Sequence, residues 1–180
     1  MKKILLGCAV ISLLSSNAFA GWDIHKGRLI NEKKWATSNN VRLTFDPVST
    51  KKNPLASKEN SFSVITKVGG NKGSINVLTP IKANHEAYIF NCTNQTKTYF
   101  YQTDFYVNTG PNKKEWAHYQ TDIELQPGGW GRLNKNPVMH ISFEKPGNYQ
   151  ANIGAHVTNI MNPPHDIDID SYSSSNIEIS

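Results

Sequence analysis

TYFYQTDFYV (98–107), the linker NTGPNKKE (108–115) and WAHYQTDIEL (116–125) decide the fold. Both outer runs alternate, as a half-buried strand must, because successive side chains leave opposite faces of the backbone. In the first run Tyr99, Tyr101, Phe105 and Val107 share one face, opposed by Phe100, Gln102, Asp104 and Tyr106. In the second, Ala117, Tyr119, Thr121, Ile123 and Leu125 oppose Trp116, His118, Gln120, Asp122 and Glu124. Two such runs joined by a turn holding Gly110 and Pro111 predict a hairpin at the centre of an antiparallel sheet. If Tyr106 faces Trp116, the register sets Asp104 opposite His118, Gln102 opposite Gln120 and Phe100 opposite Asp122.

Strand signals continue on both sides of this hairpin. Upstream, residues 21–40 suit an irregular edge strand, and Val41–Phe45 alternates until Asp46-Pro47 stops it, since Pro lacks a ladder donor. Residues 49–60, rich in Lys, Ser, Asn and Pro, read as a mobile loop. Ser61–Val68 is the next strand, Gly69–Gly73 a turn and Ser74–Leu78 its hairpin partner. Pro80 interrupts the chain, and the apolar run Ala87–Phe90 suits a central strand covered on both faces. Downstream, Gln126–Gly129 and Lys145–Asn148 are sharp turns, framing strands over 138–143 and 149–157. Residues 162–180 form a tail that either supplies a last edge strand or stays loosely attached. No helix longer than a turn or two is expected, and no repeat.

Tyr149 follows the Pro146-Gly147-Asn148 turn at the head of a late strand. This resembles the tyrosine corner of immunoglobulin-like sandwiches, whose hydroxyl bonds back to the upstream backbone. The fold class expected is therefore all-β: an antiparallel two-sheet sandwich, immunoglobulin-like, with a small β-barrel or jelly roll as the alternative. A Cys-Trp-Cys pattern is absent, and a fold-level likeness licenses no function.

Residues 1–20 carry a basic start (Lys2, Lys3), an apolar run from Ile4 to Leu14 and the cleavage-site pattern Ala18-Phe19-Ala20. They read as a cleaved signal peptide, too short in its apolar run to span a bilayer. A single domain over 21–180 follows, with no later transmembrane segment and a periplasmic or secreted location. Cys92 is the one Cys beyond the leader, so no intramolecular disulfide is expected, and its place in AYIFNCT suggests burial. The net charge of +5 falls to +3 without Lys2 and Lys3, and the lysines are dispersed. A dispersed charge of this size is a poor basis for nucleic-acid binding.

The outer hairpin face is the first candidate site: Phe100, Asp104, Tyr106, Trp116 and His118 as partner-binding residues. Aromatic planes beside carboxylates and amides suit a protein interface or a sugar. Asp104 and His118 supply two members of a nucleophilic triad, but no serine is placed to complete it, so a structural pair is expected and no catalytic residue is named. The second candidate is Asp166, Asp168 and Asp170, which an extended chain places on one face as weak ligands for Ca²⁺. An EF-hand is excluded, since Ser171 and Ile177 stand where that loop needs Gly and Glu. The histidines form no close metal pair; exposed single rings are expected, with His140 and His156 meeting across a sheet as an alternative. No cofactor is otherwise expected.

Together these features predict an exported, bacterial-type, non-enzymatic binding or accessory domain that contacts a protein in an envelope or secretion process. A secreted glycan-binding or glycan-hydrolysing protein, and a cation-stabilised structural subunit, are the alternatives.

Overall fold

The computed structural model describes residues 21–48, 62–69, 71–159 and 168–180. The expected leader at 1–20 and the expected loop at 49–60 lie outside them. Ten strands are described: β1 (Trp22–Thr37), β2 (Arg42–Pro47), β3 (Phe62–Val68), β4 (Asn71–Gly73), β5 (Leu78–Phe90), β6 (Lys97–Gly110), β7 (Lys113–Leu133), β8 (Lys135–Ser142), β9 (Gly147–Asn159) and β10 (Asp168–Ile179). No helix occurs among the described residues.

The chain is an all-β sandwich. One layer runs β4-β10-β9-β6-β7 with β1 outside β7; the other contains β5 and β8, flanked by β3 and β2. The layers are continuous, because the end of β7 turns away from β6 and pairs with β5 through Tyr88↔Arg132 and Phe90↔Trp130. All pairings are antiparallel except β10 with β4, which is parallel. The tail is thus a strand from Asp168, paired with β9 along its whole length.

The hairpin register is Tyr106↔Trp116, Asp104↔His118, Gln102↔Gln120 and Phe100↔Asp122, as the alternation requires. Its inner face fills the core: Tyr101, Phe105, Val107, Ile123 and Leu125 are wholly buried, and Tyr119 nearly so. Burying an aromatic side chain of about 150–250 Å² contributes roughly 4–6 kcal/mol before entropy is counted. Trp22 from β1 meets Tyr101 edge-on at 5.0 Å, and Trp35 stacks on Tyr119 at 5.3 Å. The Tyr149 hydroxyl donates to the Lys145 carbonyl at 2.7 Å, the bond a tyrosine corner makes.

Several local expectations change. Ser74–Leu78 is not the partner of β3; β3 pairs with Ala83–Ile89 of β5. Pro80 does not break the chain, because β5 is laddered to β8 there and Pro80 sits opposite His140, leaving its missing donor on the side that β3 does not reach. Gln126–Gly129 is a corner within β7 rather than a turn between strands. Leu125 pairs with Gly27 and Trp130 with His25, so β7 carries the extra residues of a wide bulge. A Cβ on Gly129 would lie 2.5 Å from the Lys26 carbonyl, which explains the glycine.

Cys92 is exposed, against expectation. β5 ends at Phe90, and the buried place beyond it goes to Asn91, whose amide donates to the Gln95 and Leu125 carbonyls at 2.8 Å each. Its side-chain oxygen accepts from the Thr93 N–H and hydroxyl. A polar side chain bonded this fully ties the corner of β7 to the start of β6, and an apolar thiol could not replace it.

His85 also departs from the expected exposed ring. It is wholly buried on β5, stacks on Tyr101 at 5.7 Å and shares a hydrogen bond with its phenol, bridging the two layers. Burial lowers its pKa to about 3, so the folded protein keeps it neutral. The unfolded chain takes up a proton near pH 6.5 and the folded one does not, so stability falls as pH drops from about 6.5 to 3, by about 1.4 kcal/mol per unit from this group. Urea unfolding at pH 7 and pH 4.5 should show that slope, and His85→Leu with Tyr101→Phe should flatten it without leaving an orphan hydroxyl. Gly129→Ala should cost about 1–3 kcal/mol in the same assay, because the carbonyl it meets belongs to backbone.

Candidate functional site

Strict alternation leaves one face of β10-β9-β6-β7 pointing away from the core. Successive rows across it are Asp170–His156–Gln102–Gln120, Tyr172–Gly154–Asp104–His118 and Ser174–Asn152–Tyr106–Trp116. All five expected contact residues, Phe100, Asp104, Tyr106, Trp116 and His118, lie on this face. β1 runs beside β7 rather than over it, so no described strand covers the face. Trp116 is 41% exposed and Tyr172 63%, the two large exposed aromatics of the described chain.

The polar groups form a cross-strand network. Asp104 Oδ1 is 2.6 Å from His118 Nδ1, and its Oδ2 accepts from the Gln102 amide at 2.8 Å. The other nitrogen of His118, Nε2, lies 3.3 Å from Gln120 Oε1. The ring is held at both nitrogens, which suits a positioned surface group rather than a base in a triad. Outward, Asn31 donates to Asp122 at 2.9 Å and Arg28 pairs with Glu124 at 2.9 Å. Pairs this exposed contribute little stability each, roughly 0–1 kcal/mol; they fix where the side chains stand.

On the other side of β6 the network repeats. His156 Nδ1 lies 2.5 Å from Asp170 Oδ1, and Phe100 tilts against the His156 ring at 6.5 Å. The Tyr172 hydroxyl donates to Asn152 Oδ1 at 2.5 Å. A hydrogen bond with Tyr106, then slight burial, raises the Tyr172 phenol above its ordinary pKa. Lys114 sits 4.8 Å above the Tyr106 ring, a cation–π contact. Between the two Asp–His pairs, Gly154 lacks a side chain and leaves a groove of ≈ 320 Å³ lined by Gln102, Asp104, His156, Asp170 and Tyr172.

Tyr172 and Asn152 were missed in the sequence. The signal for Tyr172 was present: Tyr172, Ser174 and Asn176 alternate with positions that lead to inward Ile177 and Ile179, the pattern of a strand. The acidic candidate divides. Asp166 lies outside the described residues, nothing is described of the Asp168 side chain, and Asp170 is engaged by His156. Among the described residues no three His, Cys, Asp or Glu side chains are grouped to hold a metal. His140 and His156 do not meet: His140 is in the β2–β8–β5 layer, 2.9 Å from the Thr44 hydroxyl, while His156 is on the outer face of the opposite layer.

No family model and no curated protein matches the chain. Among solved structures it resembles the CARDB domain of a Pyrococcus furiosus protein, solved in complex with di-metal ions. The likeness is 15% in identity, covers 68% of this chain and 97% of that one, and has a TM-score of 0.33. A likeness that slight carries no argument.

Trp116 and Trp22 should respond oppositely to truncation. Trp116→Ala should change unfolding free energy by about 1 kcal/mol or less, as exposed substitutions do. Trp22→Ala, in the core, should cost about 3–5 kcal/mol. Denaturant unfolding of both variants checks the assignment; a large loss at Trp116 would make it a core residue.

Proposed function

We propose that this is an exported, non-enzymatic binding domain that contacts a protein partner through the outer face of β10-β9-β6-β7. The observation that carries the reading is the exposure of Trp116 and Tyr172 on a face that no described strand covers and whose polar groups are already fixed by one another. Exposed aromatics set among positioned polar side chains are the composition of interface hot spots. Side chains held by neighbours lose little entropy on binding, which favours association. Export is supported by the basic, apolar and A-x-A sequence of residues 1–20.

The size of the face sets the kind of contact. Four strands spaced about 4.8 Å apart and roughly eight residues of each give on the order of 500 Å². That is the lower end for a specific interface, where transient accessory contacts fall. The groove over Gly154 favours one other reading, a glycan seated beside Tyr172 with Asp104, Gln102 and Asp170 as its hydrogen-bonding groups.

Affinity capture with the Gly21–Ser180 protein, alongside Trp116→Ala and Tyr172→Ala, tests the proposal. Capture of one protein from envelope extract, lost by about tenfold or more in both variants, is the expected result. Capture unchanged in both would remove the face from the interaction. No protein captured, with binding on a carbohydrate array that Tyr172→Ala abolishes, would replace the protein partner by a glycan.

A further inference from the structure

A strand paired on one side presents a row of open N–H and C=O groups, which invites another strand unless something blunts it. The edges of the described sheet differ in this respect. β1 leaves its register with β7 between Ile30 and Lys33 and again between Lys33 and Ala36, two bulges on a strand that carries Lys26, Arg28, Lys33 and Lys34. β2 has six residues, with Arg42 at its start and Pro47 at its end, and β3 has seven, including Lys67. β10 has twelve, DIDSYSSSNIEI, without Lys, Arg, Pro or Gly. Its register with β9 is unbroken from Asp168 to Ile179.

On its other side β10 pairs with β4 through Ile177–Ile179 alone. The Ser180 N–H and carbonyl turn to that side, onto the Gly73 carbonyl and the Ile75 N–H. Main-chain groups alternate in direction along a strand. Those of Asp170, Tyr172, Ser174 and Asn176 therefore point the same way, away from β9, and meet no described strand. β3 does not close this edge. It packs over the inner face of β9 and β10, where the Val68 N–H donates to the Ser173 hydroxyl at 3.2 Å. Ser171, Ser173 and Ser175 point inward there and are small enough to admit it. The Tyr172 ring folds back over Gly154, and its hydroxyl reaches Asn152 of β9, so the ring leaves the edge open.

The open stretch runs from Asp168 to Asn176, and its midpoint is Tyr172. A second copy of the same strand, antiparallel and in the register that uses the whole stretch, sets Tyr172 opposite Tyr172. Asp170 then faces Ser174 of the second copy, and no like charges meet. A two-fold axis at Asp170 would instead set carboxylate against carboxylate. We propose that two copies of this chain pair through their β10 edges about a two-fold axis at Tyr172, joining their layers into one sheet. Roughly nine residues at about 3.4 Å each, on a sheet about 10 Å thick, bury on the order of 300 Å² per copy. That is less than a permanent dimer needs, so the association is weak and concentration-dependent, with main-chain bonds as its source. The two outer faces run together, with Tyr172 of both copies at the centre. That consequence rests on the outer-face reading above; the pairing does not.

Sedimentation equilibrium of the Gly21–Ser180 protein tests the proposal. Its mass should rise toward twice the monomer between about 10 µM and about 1 mM. Ser174→Pro removes an outward N–H, where an edge strand tolerates proline, and should abolish the rise; Ser174→Ala should not. Circular dichroism checks that each variant is folded. Ser174→Asp should weaken association by roughly threefold or more and Ser174→Lys should strengthen it by a similar factor, because each new charge faces Asp170 of the second copy. A merely structural role for Ser174 would not give opposite signs, and this pair decides the matter if the proline variant fails to fold. Trp116→Ala, at the far end of its row, should leave association unchanged. Loss of partner capture in that variant with dimerisation intact supports both readings, and dimerisation without any capture strikes the outer-face reading alone. A monomer at every concentration would overturn the proposal. So would a dimer indifferent to proline and to charge at Ser174. A monomer that captures an envelope protein through the same edge, as shown by loss of capture in Ser174→Pro, would overturn it in favour of a foreign strand.

Discussion

The register of β6 on β7 is the constraint on which the rest of the structure depends. Side chains alternate with a period of two, so a slip of one residue would turn Tyr101, Phe105, Tyr119, Ile123 and Leu125 outward and bury Asp104, Gln102, His118 and Asp122 in their place. The cost would combine lost apolar burial with unpaired buried charge, and no neighbouring register offsets it. The hairpin then sets its neighbours. β9 pairs with the free side of β6, β10 with β9, and β1 with the free side of β7. Past its corner, β7 carries the layer into β5. One strong local pairing thus defines both the core side and the solvent side of a whole layer.

Buried polar groups then fix how the two layers meet. Apolar burial is non-directional and would tolerate sliding of one layer on the other. The His85–Tyr101 bond is directional, and so are the four side-chain bonds of Asn91. Glu115 acts in the same way at the opposite end. It is nearly buried, accepts from the Ser38 hydroxyl at 2.6 Å and the Asn40 amide at 3.0 Å, and so ties the β1–β2 connection to β7. Removing one partner from any of these would leave a desolvated group, which costs more than the bond contributes.

The parts of the fold legible in the sequence are those set by local pattern. The hairpin faces, its register and the Tyr149 corner all follow from residues within a few positions of one another. What was hidden depends on long-range partners. Pro80 looked like a break because the free side of β5 at that point is a property of β3 and β8, not of the residues around Pro80. Gln126–Gly129 looked like a turn because only β1 shows that β7 continues past it. His85 resembled the other histidines until Tyr101, sixteen residues away, supplied the partner that allows its burial. The five candidate face residues shared one alternation and were found together, whereas Tyr172 was obscured by the serines around it.

The outer face and the β1 edge arise from opposite uses of strand pairing. The outer face is a product of unbroken register, which stacks Asp104 on His118 and Tyr106 on Trp116 in flat rows. The β1 edge is a product of broken register. Bulges of that kind are tolerable only on a strand laddered on one side, because each extra residue then disrupts one set of hydrogen bonds and not two. β1 is such a strand, paired with β7 alone among the described strands. The same bulges, with Lys26, Arg28, Lys33 and Lys34 along the strand, also keep the edge from templating another sheet. The charges and bulges of β1 thus meet the need for edge protection.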